Sequence, residues 1–206
     1  MFFSPNSSVQ RYAKIKLVPF GEKVPLIDIF PILGKWIKWN VGISSWNTGT
    51  DTLVFNYSNK NKETIGIGGV ICIESIYPDF VSAFVQRGAD LLVVVTNDSW
   101  YGNSSGPYQH KEISVLRAVE NCKPLVRAAN GGISCIIDHY GQNAAATAMF
   151  TRDVLVGDVE LISEPTFFSK YPLLMPNISL LIVIFIILYS IFILFKSKAK
   201  SDRLKK

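Results

Sequence analysis

Residues 64–75, TIGIGGVICIES, are an apolar, glycine-rich run that ends by presenting Cys72 and, two residues on, Glu74. Val70 and Ile71, with the alternating Ile65 and Ile67, predict a strand buried on both faces. Such strands in α/β proteins deliver ligands and catalytic groups at their carboxyl ends. Cys72 is therefore a candidate nucleophile. A free cysteine is more commonly a small buried hydrophobe, and this run by itself favours that plainer reading.

Working outward, residues 78–88 carry a helical pattern through Phe80, Ala83, Phe84 and Val85, closed by Gly88. Residues 89–96, ADLLVVVT, predict a second fully buried strand. Strand, helix and strand make a crossover, hence parallel pairing. The exit, Asn97 to Gly102 (NDSWYG), is a polar and aromatic cluster at the same sheet end as Cys72. In residues 107–121, Ile113, Leu116 and Val119 set against Arg117 and Glu120 predict an amphipathic helix that ends before Pro124. Residues 124–128 predict a short strand, Asn130-Gly131-Gly132 a turn, and 133–137 its continuation or hairpin partner. Residues 141–149 and 153–162 add two edge strands. Upstream, Lys14 to Val18 predicts a strand stopped by Pro19 and Gly21 around Glu22, and Thr52 to Phe55 another. On residue types alone, Lys14 and Glu22 read as a solvated edge and a turn carboxylate.

Composition narrows the partners. The 206 residues, 49% hydrophobic and 18% charged, fit one sizeable core and exclude a disordered polyampholyte. The formal charge of +5 comes from six cations beyond residue 195 (Lys196, Lys198, Lys200, Arg203, Lys205, Lys206) set against Asp202, which leaves the rest neutral. Without a basic stripe, nucleic-acid binding is disfavoured. Cys72, Cys122 and Cys135, with His110 and His139, lack metal-ligand spacing, so no metal and no cofactor are expected. Each histidine reads as a hydrogen-bonded structural residue. Outside the cytoplasm, Cys122 and Cys135 could pair and leave Cys72 free.

Two stretches speak of lipid. Residues 26–46, LIDIFPILGKWIKWNVGISSW, are too interrupted to span a bilayer, but they suit a membrane-facing lid whose tryptophans, Trp36 and Trp39 among them, meet lipid or substrate. Ordinary core residues under a long loop would have the same composition. Residues 173–195, LLMPNISLLIVIFIILYSIFILF, are 23 uncharged residues, about 34 Å of helix against a hydrocarbon core of roughly 30 Å. They predict a transmembrane helix, with 196–206 as a basic cytoplasmic tail by the positive-inside rule and residues 1–170 on the opposite side. The first ten residues, MFFSPNSSVQ, lack the pattern of an export signal, so upstream membrane segments on this or another polypeptide are expected.

The segments YAKIKLVPFGEKVP, ICIES, TNDSWYG, GPYQHKEISVLRAVENCKPLVRAANGGIS and the closing apolar helix together resemble the C-terminal part of bacterial apolipoprotein N-acyltransferases, membrane enzymes of the carbon-nitrogen hydrolase (nitrilase-like) superfamily. The resemblance implies an α/β fold: the C-terminal portion of a nitrilase-like α-β-β-α sandwich over residues 1–170, incomplete, followed by one transmembrane helix. It implies a Glu-Lys-Cys triad with Cys72 as nucleophile and Lys14 as the catalytic lysine stabilising the oxyanion. Glu22 and Glu74 match further active-site carboxylates, and Trp100 an active-site aromatic. Ile73 stands where the family usually has tyrosine. The family's general-base glutamate matches no residue of this sequence, so it is expected in an upstream-encoded part, without which the chain should be inactive and poorly folded. The implied partners are a phospholipid acyl donor, an apolipoprotein acceptor and the bacterial inner membrane, with the catalytic domain on its periplasmic side. A membrane-tethered amidase of the same superfamily, and a non-catalytic remnant or interaction subunit, are the competing readings.

Overall fold

The computed structural model describes residues 1–4, 8–23, 29, 48–59 and 61–204. The lid expectation, with Trp36 and Trp39, falls on residues outside this set. Two compact units result, Met1–Lys170 and Tyr171–Lys206.

The first unit is built on one six-stranded sheet: β1 (Val54–Ser58), β2 (Thr64–Ile71), β3 (Leu91–Asn97), β4 (Leu125–Asn130), β5 (Cys135–Ile137) and β6 (Asn143–Ala146), in that spatial order. β2, β3 and β4 are parallel, Gly68 lying opposite Leu92 and Leu92 opposite Leu125. β1, β5 and β6 join antiparallel at the two sides. The parallel crossover expected from residues 64–96 is present, with α1 (Pro78–Gln86) between β2 and β3. Proline in its first turn and Gly88 at φ 91° just past its end are the start and stop signals that set its length. α2 (Gly106–Asn121) connects β3 to β4, and a short α3 (Phe167–Lys170) ends the unit.

The core lies between the helices and one sheet face, where Val70, Leu92, Val94 and Leu125 meet Phe80, Val81 and Phe84 of α1 and Ala118 of α2. Gly68 permits this approach, because a Cβ there would sit 3.0 Å from the Cβ of Phe84 and 3.1 Å from Leu92. Phe84 is fully buried and edge-on to both Phe80 and Tyr12, burial that stabilises the fold by about 1.5–3 kcal/mol.

Four expectations are corrected. β2 and β3 are not buried on both faces: Gly66, Gly68, Val70, Leu92 and Val94 are buried, while the opposite face is half-buried and Val95 is 45% exposed. Lys14 to Val18, with a bend at Lys16, joins no ladder among the described residues, and side-chain carboxylates take up backbone N–H groups there, as described below. Residues 153–162 form no strand; β6 ends the sheet, and Val154 and Val156 stand 82% and 90% exposed. Finally, α2 turns the other way from its apolar pattern. His110, Ser114, Arg117, Ala118 and Asn121 face inward while Leu116 and Val119 are exposed. Polar residues tolerate that burial because each has an internal partner, such as Ser82 Oγ donating to Asn121 Oδ1 at 3.0 Å.

The second unit is α4, Leu174–Leu204. Among the described residues it is the one helix long and apolar enough to cross a membrane, through Leu174–Leu194. Pro176 lies in its first turn, where no intrahelical N–H is required, and the Ser190 hydroxyl donates to Ile186 O at 2.8 Å, so that polar group is satisfied inside the helix.

Candidate active site

Cys72 stands where β2 stops. Its φ of 52° is left-handed, unusual for a residue with a Cβ, and it turns the chain from the strand into a 3-10 turn, Cys72–Ile76. Cys72 is thereby taken out of the strand's alternation and is partly exposed; it forms no disulfide, and neither do half-buried Cys122 and buried Cys135.

Glu74 is fully buried and acts as a clamp. Its Oε1 accepts from the Tyr12 hydroxyl at 2.8 Å, Ile15 N at 2.6 Å and Lys16 N at 3.2 Å, while Oε2 accepts from Ile71 N at 2.8 Å. One carboxylate thus joins the end of β2 to the residues on either side of Lys14. From the other direction Gly49 N donates to Lys14 O at 2.9 Å. Burial, and then the neighbouring Glu74 charge, raise the Tyr12 hydroxyl well above its usual pKa. Lys14, its side chain 14% exposed, places Nζ 2.8 and 2.7 Å from the two oxygens of Glu22, whose Oε2 also accepts from Val18 N at 2.9 Å. The turn carboxylate and the lysine are therefore one ion pair, which locates a positive charge on the segment that Glu74 ties to Cys72.

A second cluster lies behind Cys72. Asp98, at the end of β3, is fully buried and accepts from Arg127 Nη2 at 2.6 Å, His110 Nδ1 at 2.9 Å and Thr96 Oγ1 at 2.9 Å. Burial pushes its carboxyl up, but the His110 hydrogen bond and the Arg127 charge outweigh it and hold the group below the usual carboxylate range. Gly132 allows this placement, since a Cβ there would lie 2.4 Å from Asp98 Oδ2. His110 Nε2 then reaches Ser75 Oγ at 2.9 Å and Cys72 O at 3.3 Å, and Ser75 Oγ donates to Cys72 O at 2.9 Å.

Of the residues expected from sequence, Lys14 and Glu22 pair directly, and Glu74 bonds to Ile71 N, next to Cys72, and to Ile15 N, next to Lys14. Trp100 is on the same loop as Asp98 but is 77% exposed. Its neighbour Tyr101, 44% exposed, has its ring 6.5 Å from that of His110; partial burial, and next the nearby Cys72 thiol, raise its hydroxyl pKa. From the sequence, Tyr12 and Arg127 are not singled out, His110 reads only as a hydrogen-bonded structural residue, and Asp98 and Tyr101 only as members of the polar and aromatic 97–102 cluster. The signal was available in the polar residues of helical spacing in α2 and in the NDSWY loop. Among the described residues, no group of three or more His, Cys, Asp or Glu is arranged to hold a metal ion.

The model of the carbon-nitrogen hydrolase family matches residues 1–163. The chain belongs to the carbon-nitrogen hydrolase family. Its sheet and helix layer are accordingly a nitrilase-like α/β fold, of which the described residues hold one sheet and one layer of helices. Among curated carbon-nitrogen hydrolase relatives it is 42% identical to the apolipoprotein N-acyltransferase of Chlorobaculum tepidum, over 84% of this chain and 32% of that protein. With the protein of the same name from Geobacter metallireducens it shares 42% over 79% and 30%, and with that of Rickettsia typhi 38% over 86% and 35%. The chain spans about a third of the length of these relatives. Among solved structures, the NitN amidase from Nesterenkonia sp. AN1 aligns over 67% of this chain and 47% of its own, at 19% identity and a TM-score of 0.46.

Proposed function

We propose that this chain carries the acyl-transfer centre of an apolipoprotein N-acyltransferase, with Cys72 as nucleophile. The observation that supports it most is the Glu74 clamp, which couples the end of the Cys72 strand to the Lys14 segment in a chain 42% identical to proteins of that name. In the first half-reaction the Cys72 sulfur bonds to the carbonyl carbon of a phospholipid acyl ester. The ester C–O bond breaks, and the lysophospholipid alkoxide leaves with the proton given up by the thiol. Lys14, held by Glu22, supplies positive charge to the developing oxyanion. In the second, the α-amino group of a lipid-modified N-terminal cysteine attacks the thioester. A C–N bond forms, the C–S bond breaks, and the amine's proton returns to sulfur. Glu74 serves as a positioning carboxylate in this reading, since both its oxygens already accept hydrogen bonds from the protein.

Residues 174–194 span the inner membrane, with the Lys- and Arg-rich tail in the cytoplasm and residues 1–170 on the periplasmic side. Trp100, with Trp36 and Trp39, contacts lipid or the acyl donor. The test uses membranes from cells expressing the chain alone and with the reading frame upstream of it. They are supplied with phospholipid labelled in its acyl chain and a peptide bearing an N-terminal S-diacylglyceryl cysteine. Hydroxylamine-resistant label on the peptide is expected; labelled free fatty acid with no acylated peptide would overturn the transferase reading in favour of a hydrolase.

A further inference from the structure

The buried chain from Arg127 to Cys72 has no part in the chemistry described above, yet it comes from four elements and converges on one atom. Arg127 from β4, Asp98 from the end of β3, His110 from α2 and Ser75 from the 3-10 turn are all buried. Their hydrogen bonds run in series to the carbonyl oxygen of Cys72. Burying three ionisable groups is costly, and an apolar cluster of the same volume would hold a helix to a sheet at least as well. The backbone at the end of the series is itself unfavourable, a non-glycine residue at φ 52°, and such a conformation persists only where its surroundings over-determine it.

We propose that His110 and Ser75 are positioning residues that grip the Cys72 carbonyl and so fix the turn that presents the thiol, with Asp98 and Arg127 locking the imidazole from behind. This rests on Cys72 being the nucleophile. The proton inventory fits the role. With Asp98 ionised, Nδ1–H of His110 donates to it, and the Ser75 hydroxyl has one proton, which points at Cys72 O. Nε2, on the other edge of the ring, lies 2.9 Å from Ser75 Oγ and 3.3 Å from Cys72 O, so the imidazole is fixed on both edges. Ser75 and the Nε2 edge of His110 thus both face the Cys72 carbonyl, while Asp98 and Arg127 hold the ring from its Nδ1 edge. Gly132 belongs to the same device, since any side chain there would displace Asp98.

The test is single-turnover transfer of labelled acyl groups from phospholipid to Cys72 in membranes containing the full chain together with its upstream reading frame. Ser75→Ala removes one hydroxyl and leaves the ion pairs intact. It is expected to slow transfer by about ten- to a hundredfold, the penalty for displacing a reacting group by about 1 Å. Half-saturation by the donor should be unchanged, and Ser75→Thr should restore most of the rate. His110→Gln should slow transfer at least as much; because it strands buried Asp98, the milder Ser75→Ala decides the question if that variant misfolds. A role limited to stability would lower the melting temperature while the folded fraction reacts at the wild-type rate, and that result would overturn the proposal. Label on Cys72→Ala, or none on the wild type, would overturn the nucleophile itself and the inference with it. An unlabelled Cys72→Ala beside an unimpaired Ser75→Ala would overturn the positioning role alone.

Discussion

Glu74 holds two segments together with one buried carboxylate, both of whose oxygens accept hydrogen bonds from the protein. Replacing it by alanine leaves Ile15 N, Lys16 N, Ile71 N and the Tyr12 hydroxyl without their acceptor in a buried place. The expected loss is about 3–5 kcal/mol in denaturant unfolding, together with loss of acyl transfer. The raised Tyr12 pKa gives a pH signature. Folding favours the protonated hydroxyl, so its contribution is full below the ordinary tyrosine pKa near 10 and is lost as pH rises above it. Tyr12→Phe should therefore flatten the alkaline limb of the stability curve. Asp98 behaves oppositely. Its lowered pKa contributes stability above about pH 4 that drains as the pH falls further, and Asp98→Asn should remove part of that acid limb while costing about 3–5 kcal/mol by leaving Arg127 uncompensated. The residues quoted in the motifs were legible one by one. The bonds joining residues 98, 110, 127 and 75 were not, because periodicity ranks residues by polarity and is blind to a polar group that finds its partner inside.

At the level of elements, the parallel strands β2 and β3, helix α1 and the β4–β5 hairpin follow from apolar runs and turn residues, as the sequence suggests. Two of the four expectations that failed, both of them strands, have one cause. A strand exists only where a neighbour completes its ladder, and alternation says nothing about the neighbour. Lys14 to Val18 has its N–H groups taken by Glu74 and Glu22, and residues 153–162 lie beyond β6 with no ladder partner among the described residues. The latter stretch is held at its far end by buried Lys123, whose Nζ donates to the carbonyls of Ile162 and Glu164. In hydrogen-exchange mass spectrometry, residues 151–160 should exchange within the dead time while β2 to β4 are protected. Lys123→Met should speed exchange of residues 162–166 and leave the sheet unchanged. α2 teaches the same lesson for helices. Its exposed Leu116 and Val119 look like a core face, whereas its real inward stripe is the polar one that supports the site.

For the molecule as a whole, the long apolar helix was readable from composition, and Leu174–Leu194 is the candidate membrane span among the described residues. If residues 174–194 span the bilayer, the chain should stay in the pellet after alkaline carbonate extraction. Leu188→Arg, costing about 2.5–3.5 kcal/mol of insertion free energy at mid-membrane, should shift a measurable fraction to the supernatant. What the whole molecule does turns on Cys72. The most direct measurement is mass spectrometry of the Cys72 peptide after incubation of the membranes with phospholipid and no acceptor. The expected result is a fatty-acyl adduct on Cys72 that is released by hydroxylamine and absent from Cys72→Ala. An unmodified Cys72 in membranes that nonetheless acylate an added acceptor would contradict the reading of this thiol as the group that carries the acyl chain.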